Sequence, residues 1–156
     1  MSRWTGFDSH LQRASVKNQR AILIAEDNAA DVCLMREALQ TLDPPPEIHV
    51  ARDGEEAINF LSRSAQAADA PRPKLVFLDF HVPKTDPREV LQYVKKSEEL
   101  KNVAVVVLTT SNTIELIREV YQLGADCYLS KPSDLDTFLN TICGAANFWL
   151  NRPDMN

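Results

Sequence analysis

Four short apolar runs divide this chain, and polar residues that can carry chemistry follow each run directly. The runs cover residues 21–25, 75–78, 103–108 and 127–129. Runs of this length, rich in Val, Leu and Ile, are typical of strands that are buried on both faces of a parallel sheet. Segments with the spacing of amphipathic helices separate the runs, and strands that alternate with helices predict an α/β fold.

Periodicity and capping signals predict five strand–helix units in a row. We expect strands near residues 21–26, 47–52, 74–79, 103–109 and 125–130. We expect helices to begin behind Asn28, Asp53 and Asp86, near Asn112 and at Ser133. The prolines at 44–46 should end the first helix, residues 62–73 should form a polar connection, and Gly124 should stop the fourth helix. Right-handed crossovers then leave a doubly wound parallel sheet as the expected architecture.

The composition fits one globular domain, predicted at residues 20–150, with polar tails at 1–19 and 151–156. The net charge is −5 and no dense Lys/Arg patch is present, so nucleic acid is not an expected partner. The apolar runs are far shorter than the ~18 residues of a membrane span, and the N-terminal tail lacks a signal-peptide pattern. We therefore expect no membrane association and a cytoplasmic location. The three cysteines are odd in number and lack metal-type spacing, which favours reduced thiols.

The polar groups behind the strands should gather at one edge of the sheet. Glu26 and Asp27 follow the run at 21–25, and Asp79 follows the run at 75–78. Thr109 follows the run at 103–108, and Lys131 lies two residues after the run at 127–129. Open α/β sheets bind their ligands at the carboxyl ends of the strands. Three carboxylates suit a divalent cation, and a hydroxyl with an ammonium suits a phosphoryl group. Taken singly, each residue could equally be a helix cap, a solvated charge or strand filler.

This order of groups resembles the receiver domain of two-component response regulators, over residues 20–145. Pro83, four residues after Asp79, and Tyr128, three residues before Lys131, are also similar to that family. A narrower similarity, to the single-domain receivers that serve phytochrome-type histidine kinases, lies in the segments Ile-Leu-Ile-Ala-Glu-Asp-Asn (22–28), Pro-Lys-Thr-Asp (83–86) and Phe-Trp-Leu (148–150).

The resemblance implies a flavodoxin-like (βα)5 fold with the sheet order 2-1-3-4-5. It implies that Asp79 accepts a phosphoryl group from a histidine, as a carboxylate nucleophile can. Lys131 and Thr109 would then contact the phosphoryl oxygens. Tyr128 would move together with Thr109 as a switch.

The resemblance also implies a bound Mg²⁺ and a protein partner. The implied metal ligands are the carboxylates of Glu26, Asp27 and Asp79 and the backbone carbonyl of His81. The implied partner is a histidine kinase, and the signal should leave through changed protein contacts rather than through an enzymatic activity. A phosphorelay intermediate that serves another class of histidine kinase is the alternative.

Two further classes of protein use a similar architecture, and the sequence disfavours both. A phosphohydrolase of the haloacid-dehalogenase type has an aspartate behind a strand, but it needs a second acid where this chain has His81. A flavin- or nucleotide-binding module needs a glycine-rich phosphate loop behind the first strand. Residues 27–31 are acidic there and would repel phosphate.

The end of the fifth helix predicts a homodimer through the fourth and fifth units. Phe148, Trp149 and Leu150 are consecutive, so they cannot all face the sheet from a helical stripe of about 100°. At least one large apolar group should project and form a contact surface, and two-fold pairing would suit dimeric kinases. In the alternative, Trp149 packs beneath the N-terminal tail, near Trp4 or Phe7.

Overall fold

A computed structural model describes residues 20–153 and contains one sheet of five parallel strands. The strands are β1 (Ala21–Ala25), β2 (Glu47–Ala51), β3 (Leu75–Asp79), β4 (Ala104–Thr109) and β5 (Cys127–Ser130). Their spatial order is β2-β1-β3-β4-β5, which confirms the predicted doubly wound topology. The predicted tail at residues 1–19 lies outside the described residues.

Five helices cover the two faces of this sheet. They are α1 (Ala29–Gln40), α2 (Gly54–Gln66), α3 (Pro87–Lys96), α4 (Ile114–Gln122) and α5 (Leu135–Leu150). Successive side chains of a strand point to opposite faces. Leu23 of β1 accordingly packs in the core beneath α2, α3 and α4, whereas Ile22 and Ile24 pack in the core beneath α1 and α5. The two cores explain why β1 and β3 are buried along their whole length.

The register of the sheet brings the ends of the central strands level. Ala25 of β1 pairs with Leu78 of β3, and Asp79 of β3 pairs with Leu108 of β4. Thr109 at the end of β4 pairs with Ser130 at the end of β5. The last residues of these strands, and the residues directly after them, therefore lie at one edge of the sheet, as the sequence predicted.

Side-chain caps begin the first three helices at the residues that the sequence indicated. The Asn28 side chain accepts a hydrogen bond from the Asp31 amide at 3.0 Å. Asp53 accepts from the Glu56 amide at 2.8 Å, and the Glu56 carboxylate accepts from the Arg52 amide at 2.9 Å. These bonds satisfy amides that the first helical turn leaves without a partner. Asp86 caps α3 in the same way through the amide of the second helical residue.

Several predicted boundaries were wrong, each for a local reason. Helix α2 continues to Gln66 through part of the predicted polar connection, because Ser64 is buried and its hydroxyl donates to the Phe60 carbonyl at 3.1 Å. Helix α1 ends at Gln40, ahead of the prolines. Helix α5 begins at Leu135 rather than at Ser133, since the following aspartate provides the cap.

Two more boundaries differ by about two residues. Helix α4 begins at Ile114, because the Thr113 hydroxyl oxygen caps it, rather than near Asn112. Strand β5 is short and begins at Cys127. Gly124 does stop α4, with φ of 106°, a left-handed backbone that favours glycine.

The apolar residues of α4 and α5 are only partly buried. Ile114, Tyr121 and Leu135 are 64%, 48% and 49% exposed, so Val120 is the one residue of α4 that is buried. At the end of α5, Phe148 is 61% exposed while Leu150 is buried. No helix among residues 20–153 has the length and apolar character that a membrane span requires.

Candidate functional site

Three carboxylates meet at the edge where β1 and β3 end. One oxygen each from Glu26, Asp27 and Asp79 lies within 4.8 Å of the others. The amide of Glu26 donates to the Ala51 carbonyl at 2.9 Å, and its carboxylate accepts from the Asn28 amide at 3.1 Å. Glu26 and Asp79 are buried and Asp27 is exposed, so the cluster opens to solvent on one side.

Lys131 faces this cluster from the loop behind β5. Its Nζ lies 2.6 Å from Glu26 Oε1 and 3.3 Å from Asp79 Oδ2. It also lies 3.3 Å from Asp31 Oδ2, in the first turn of α1. Asp31 was not among the predicted site residues. Its position in the first turn of the helix that follows the acidic pair is the signal that could have found it.

Burial and charge shape the protonation of the buried pair. The pKa of the Glu26 carboxyl is raised to about 7, first by burial and next by hydrogen bonding to Asp79, while the Lys131 hydrogen bond opposes both. For Lys131, burial lowers the pKa of the ammonium, but the hydrogen bond to Glu26 and the Asp79 charge outweigh burial and raise it. The Lys131 ammonium therefore stays charged, and the carboxyl groups of the cluster outnumber this one cation.

The loop behind β3 is held by backbone hydrogen bonds. The Phe80 amide donates to the Leu108 carbonyl at 2.9 Å, and the His81 amide donates to Asp79 Oδ1 at 3.1 Å. Further along, the Gly54 amide of α2 donates to the Pro83 carbonyl at 3.0 Å. The backbone of His81 is therefore placed at the site, whereas its side chain is exposed.

Thr109 and Tyr128 are joined through one residue that the sequence analysis missed. The buried Thr109 hydroxyl accepts a hydrogen bond from the Ser111 amide at 3.0 Å. The Tyr128 hydroxyl donates to the carbonyl of the same Ser111. His81 Nε2 lies 3.3 Å from Thr109 Oγ1. No sequence signal marked Ser111, because its part depends on its backbone groups rather than on its side chain.

The donor set of the acidic cluster fits a hard divalent cation. Magnesium prefers oxygen ligands and needs few protein carboxylates, because it keeps several waters. Converging carboxylate oxygens from Glu26, Asp27 and Asp79 supply such ligands, and the exposed side leaves room for water. A cation there would also relieve the repulsion between the carboxylates.

The comparisons with known proteins agree with this geometry. Residues 22–143 match the family of the response regulator receiver domain. The chain belongs to this family of signalling proteins, whose members are phosphorylated by histidine kinases and bind a divalent metal. Response regulator Rcp1 from Synechocystis sp. is 39% identical over 131 residues, which are 84% of this chain and 89% of Rcp1.

Two solved structures share both fold and sequence with this chain. The phosphorylated cyanobacterial phytochrome response regulator RcpA superposes with a TM-score of 0.78 at 39% identity, covering 85% of this chain and 94% of RcpA. The Mn²⁺-bound form of Rcp1 also gives a TM-score of 0.78, at 37% identity, covering 88% of this chain and 99% of Rcp1. The flavodoxin-like fold predicted from the sequence is therefore confirmed.

Proposed function

We propose that this receiver accepts a phosphoryl group on Asp79 from a histidine kinase. The observation that carries the proposal is the position of the Asp79 carboxylate, buried among acids and 3.3 Å from the Lys131 ammonium. One carboxylate oxygen attacks phosphorus, and an O–P bond forms as the P–N bond of the phosphohistidine breaks. The electron pair leaves with the imidazole nitrogen, which takes up a proton.

The chain's own groups position and neutralise the reactants, which is the main work of proteins in phosphoryl transfer. Lys131 meets the phosphoryl oxygens as a point charge, and Thr109 donates its hydroxyl to the same oxygens after transfer. Tyr128 responds to the movement of Thr109. This assignment is supported by the Ser111 hydrogen bonds that already connect the two residues.

The proposed metal is Mg²⁺. Its ligands would be the carboxylates of Glu26, Asp27 and Asp79, which converge within 4.8 Å, together with the backbone carbonyl of His81. When bound, the metal would neutralise charge on the carboxylates and the phosphoryl oxygens.

The proposed kinase is of the phytochrome type. Support comes from the similarity to RcpA, described as a phytochrome response regulator, and from the sequence segments 22–28, 83–86 and 148–150. A kinase of this type would act in the cytoplasm, and the chain itself would be a phosphoacceptor whose own reactions are limited to small phosphodonors and autodephosphorylation. A relay role for another class of histidine kinase is the alternative, and a panel of purified kinases distinguishes the two by the rate of transfer.

We further propose a homodimer through α4 and α5. Four large apolar side chains on these helices, Ile114, Tyr121, Leu135 and Phe148, are 64%, 48%, 49% and 61% exposed. Large exposed apolar groups on a small domain mark contact surfaces. In the alternative, Trp149 packs beneath the N-terminal tail near Trp4 or Phe7, which lie outside the described residues. Among the described residues, the Arg152 guanidinium lies 4.7 Å from the centre of the Trp149 ring.

Phosphorylation from acetyl phosphate tests the central assignment. With Mg²⁺, intact-mass spectrometry should show one added phosphoryl group that alkali removes, because acyl phosphates are labile. Asp79→Asn should abolish the addition. Asp69→Asn makes the same change at an exposed aspartate where the strands begin, and it should be labelled like the unaltered protein. Labelling that persists in Asp79→Asn would falsify the assignment.

A further inference from the structure

The hydroxyl of Thr109 already has two polar neighbours. Its oxygen accepts from the Ser111 amide at 3.0 Å and lies 3.3 Å from His81 Nε2. A hydroxyl has one proton and two acceptor sites. Since the amide occupies an acceptor site, the hydroxyl proton is free to be donated, and His81 Nε2 can accept it when the ring carries its proton on Nδ1.

The backbone of His81 is held in place, and its imidazole lies within hydrogen-bond distance of Thr109. The His81 amide donates to Asp79 Oδ1 at 3.1 Å, and the preceding amide, of Phe80, donates to Leu108 at 2.9 Å. The second bond ties the loop behind β3 to β4, the strand that ends in Thr109. The contact between His81 and Thr109 therefore joins the loop behind β3 to the end of β4, and the sheet keeps these two strands in register.

We propose that the His81 side chain is a latch that holds Thr109 in the arrangement of the unphosphorylated protein. The hydroxyl has a single proton, so it cannot donate to His81 and to a phosphoryl oxygen on Asp79 at once. His81 is thus a positioning residue that opposes the phosphorylated state. This inference rests on the proposed function, because it needs a phosphoryl group that draws Thr109 inward.

The latch extends to Tyr128. Ser111 donates its amide to Thr109 and accepts the Tyr128 hydroxyl on its carbonyl. When the Thr109 hydroxyl turns toward the phosphoryl group, Ser111 loses its acceptor and the segment that holds Tyr128 is released. One hydrogen-bonded chain, from His81 through Thr109 and Ser111 to Tyr128, thereby joins the phosphorylation site to the surface beside α4. A chain with two arrangements is the kind of element that one new charge can bias.

Beryllofluoride tests the latch, because it binds an aspartate carboxylate as a mimic of the acyl phosphate. Its dissociation constant is measured by fluorine NMR, at a Mg²⁺ concentration that saturates each variant. His81→Phe keeps a ring but removes the nitrogen, and it should tighten beryllofluoride binding by about two- to tenfold, the effect of one hydrogen bond. His81→Gln keeps an acceptor oxygen, so its dissociation constant should lie between those of the unaltered protein and His81→Phe.

Thr109→Ala supplies the control that separates a latch from a general effect on the site. Without the Thr109 hydroxyl there is nothing to hold, so adding His81→Phe should leave the dissociation constant unchanged. This double-mutant cycle measures the coupling between the two side chains. Tightening of equal size in both backgrounds would overturn the latch, as would unchanged or weaker binding in His81→Phe alone.

The same data distinguish failure of the latch from failure of the proposed function. If the unaltered protein binds beryllofluoride and the cycle shows no coupling, only the latch is wrong. If the unaltered protein does not bind beryllofluoride with saturating Mg²⁺, the phosphoacceptor assignment is wrong, and the latch fails with it.

Discussion

At the scale of single residues, the site is a balance between buried acids and one buried base. The side chains of Glu26 and Lys131 are 2% and 13% exposed, and their 2.6 Å contact lies in a region where water screens charge poorly. Removing one partner of such a pair leaves the other without compensation. The stability of this region should therefore depend on Lys131 most strongly when no metal is bound.

Replacing Lys131 tests this dependence. Lys131→Met should lower the free energy of unfolding by about 2 kcal/mol without Mg²⁺, because Glu26 loses its closest partner. The deficit should shrink as Mg²⁺ is added, since a bound cation replaces the lost charge. Urea denaturation measures both values.

A matched control is Lys101→Met, which removes an exposed pair with Glu98 at 3.0 Å. That change should cost less than about 0.5 kcal/mol, since exposed pairs contribute little. Equal losses in the two variants would contradict the proposed importance of the buried pair.

Asp27 is the exposed acid of the cluster, and its removal tests the metal site. Asp27→Ala should weaken Mg²⁺ by about tenfold or more, because it takes away a charged oxygen ligand. Without metal, the same variant should unfold at higher urea concentration, because repulsion between carboxylates is relieved. Calorimetric titration measures the affinity, and Asp69→Ala provides a distant control of the same charge. Unchanged affinity in Asp27→Ala would remove this residue from the site.

At the scale of secondary-structure elements, the site depends on how closely α2 approaches the loop behind β3. A Cβ added at Gly54 would lie 2.6 Å from the Thr85 carbonyl oxygen and 2.7 Å from the Thr85 Cβ. The Gly54 amide also donates to the Pro83 carbonyl in the same loop. Glycine is needed here for close approach, and the loop that it supports carries the His81 carbonyl proposed as a metal ligand.

Gly54→Ala should therefore affect both stability and phosphorylation. The clash is with backbone, so the loop must move, and such overpacking costs about 1–3 kcal/mol. The rate of phosphorylation by acetyl phosphate should fall as well, because the loop shift displaces His81. Urea denaturation and a timed mass-spectrometric assay check the two effects.

Gly144 in α5 offers the opposite case. Apart from the helix's own backbone and the neighbouring residues, no heavy atom of residues 20–153 lies within 4 Å of a Cβ added there. Gly144→Ala should therefore stabilise the protein by about 0.5–1 kcal/mol through helix propensity. Its phosphorylation rate should stay unchanged.

A Gly54→Ala variant as stable as the unaltered protein would show that the loop adapts without cost.

At the scale of the whole molecule, the exposed apolar side chains all lie on the α4 and α5 side. Ile114, Tyr121, Leu135 and Phe148 are the large apolar residues exposed among residues 20–153. On α4 itself, the Glu119 carboxylate is already occupied by Arg88 of α3, which donates to it twice at 2.8 Å. The exposed apolar residues form the surface through which the proposed dimer would pair.

Phe148→Ser should weaken the proposed dimer without destabilising the fold. The side chain is 61% exposed, so its loss removes little core packing, whereas a contact surface would lose a large apolar group. Light scattering at tens of micromolar, with and without beryllofluoride, measures the mass. A chain that ends at Asn147 should also lose the dimer, but it should unfold more readily because it lacks the buried Leu150. If the unaltered protein is a monomer under every condition, the dimer is excluded.

The sequence alone determined the fold and the set of reactive groups. Strands buried on both faces need uninterrupted apolar runs, and caps need particular side chains, so both features are written locally at positions such as Asn28 and Asp53. The parallel sheet then requires Glu26, Asp79 and Lys131 to meet, because all follow strand ends. This is why the edge of the sheet could be predicted without coordinates.

Tertiary structure decided what depends on distance and on burial. The Asp31 carboxylate near Lys131 and the Ser111 link between Thr109 and Tyr128 arise from groups that are remote in sequence. The outward direction of Tyr121 and Leu135 was also beyond the pattern, because helical periodicity gives the spacing of apolar residues but not which of them the sheet covers. Local sequence sets which groups are available; only the packed chain sets which of them touch.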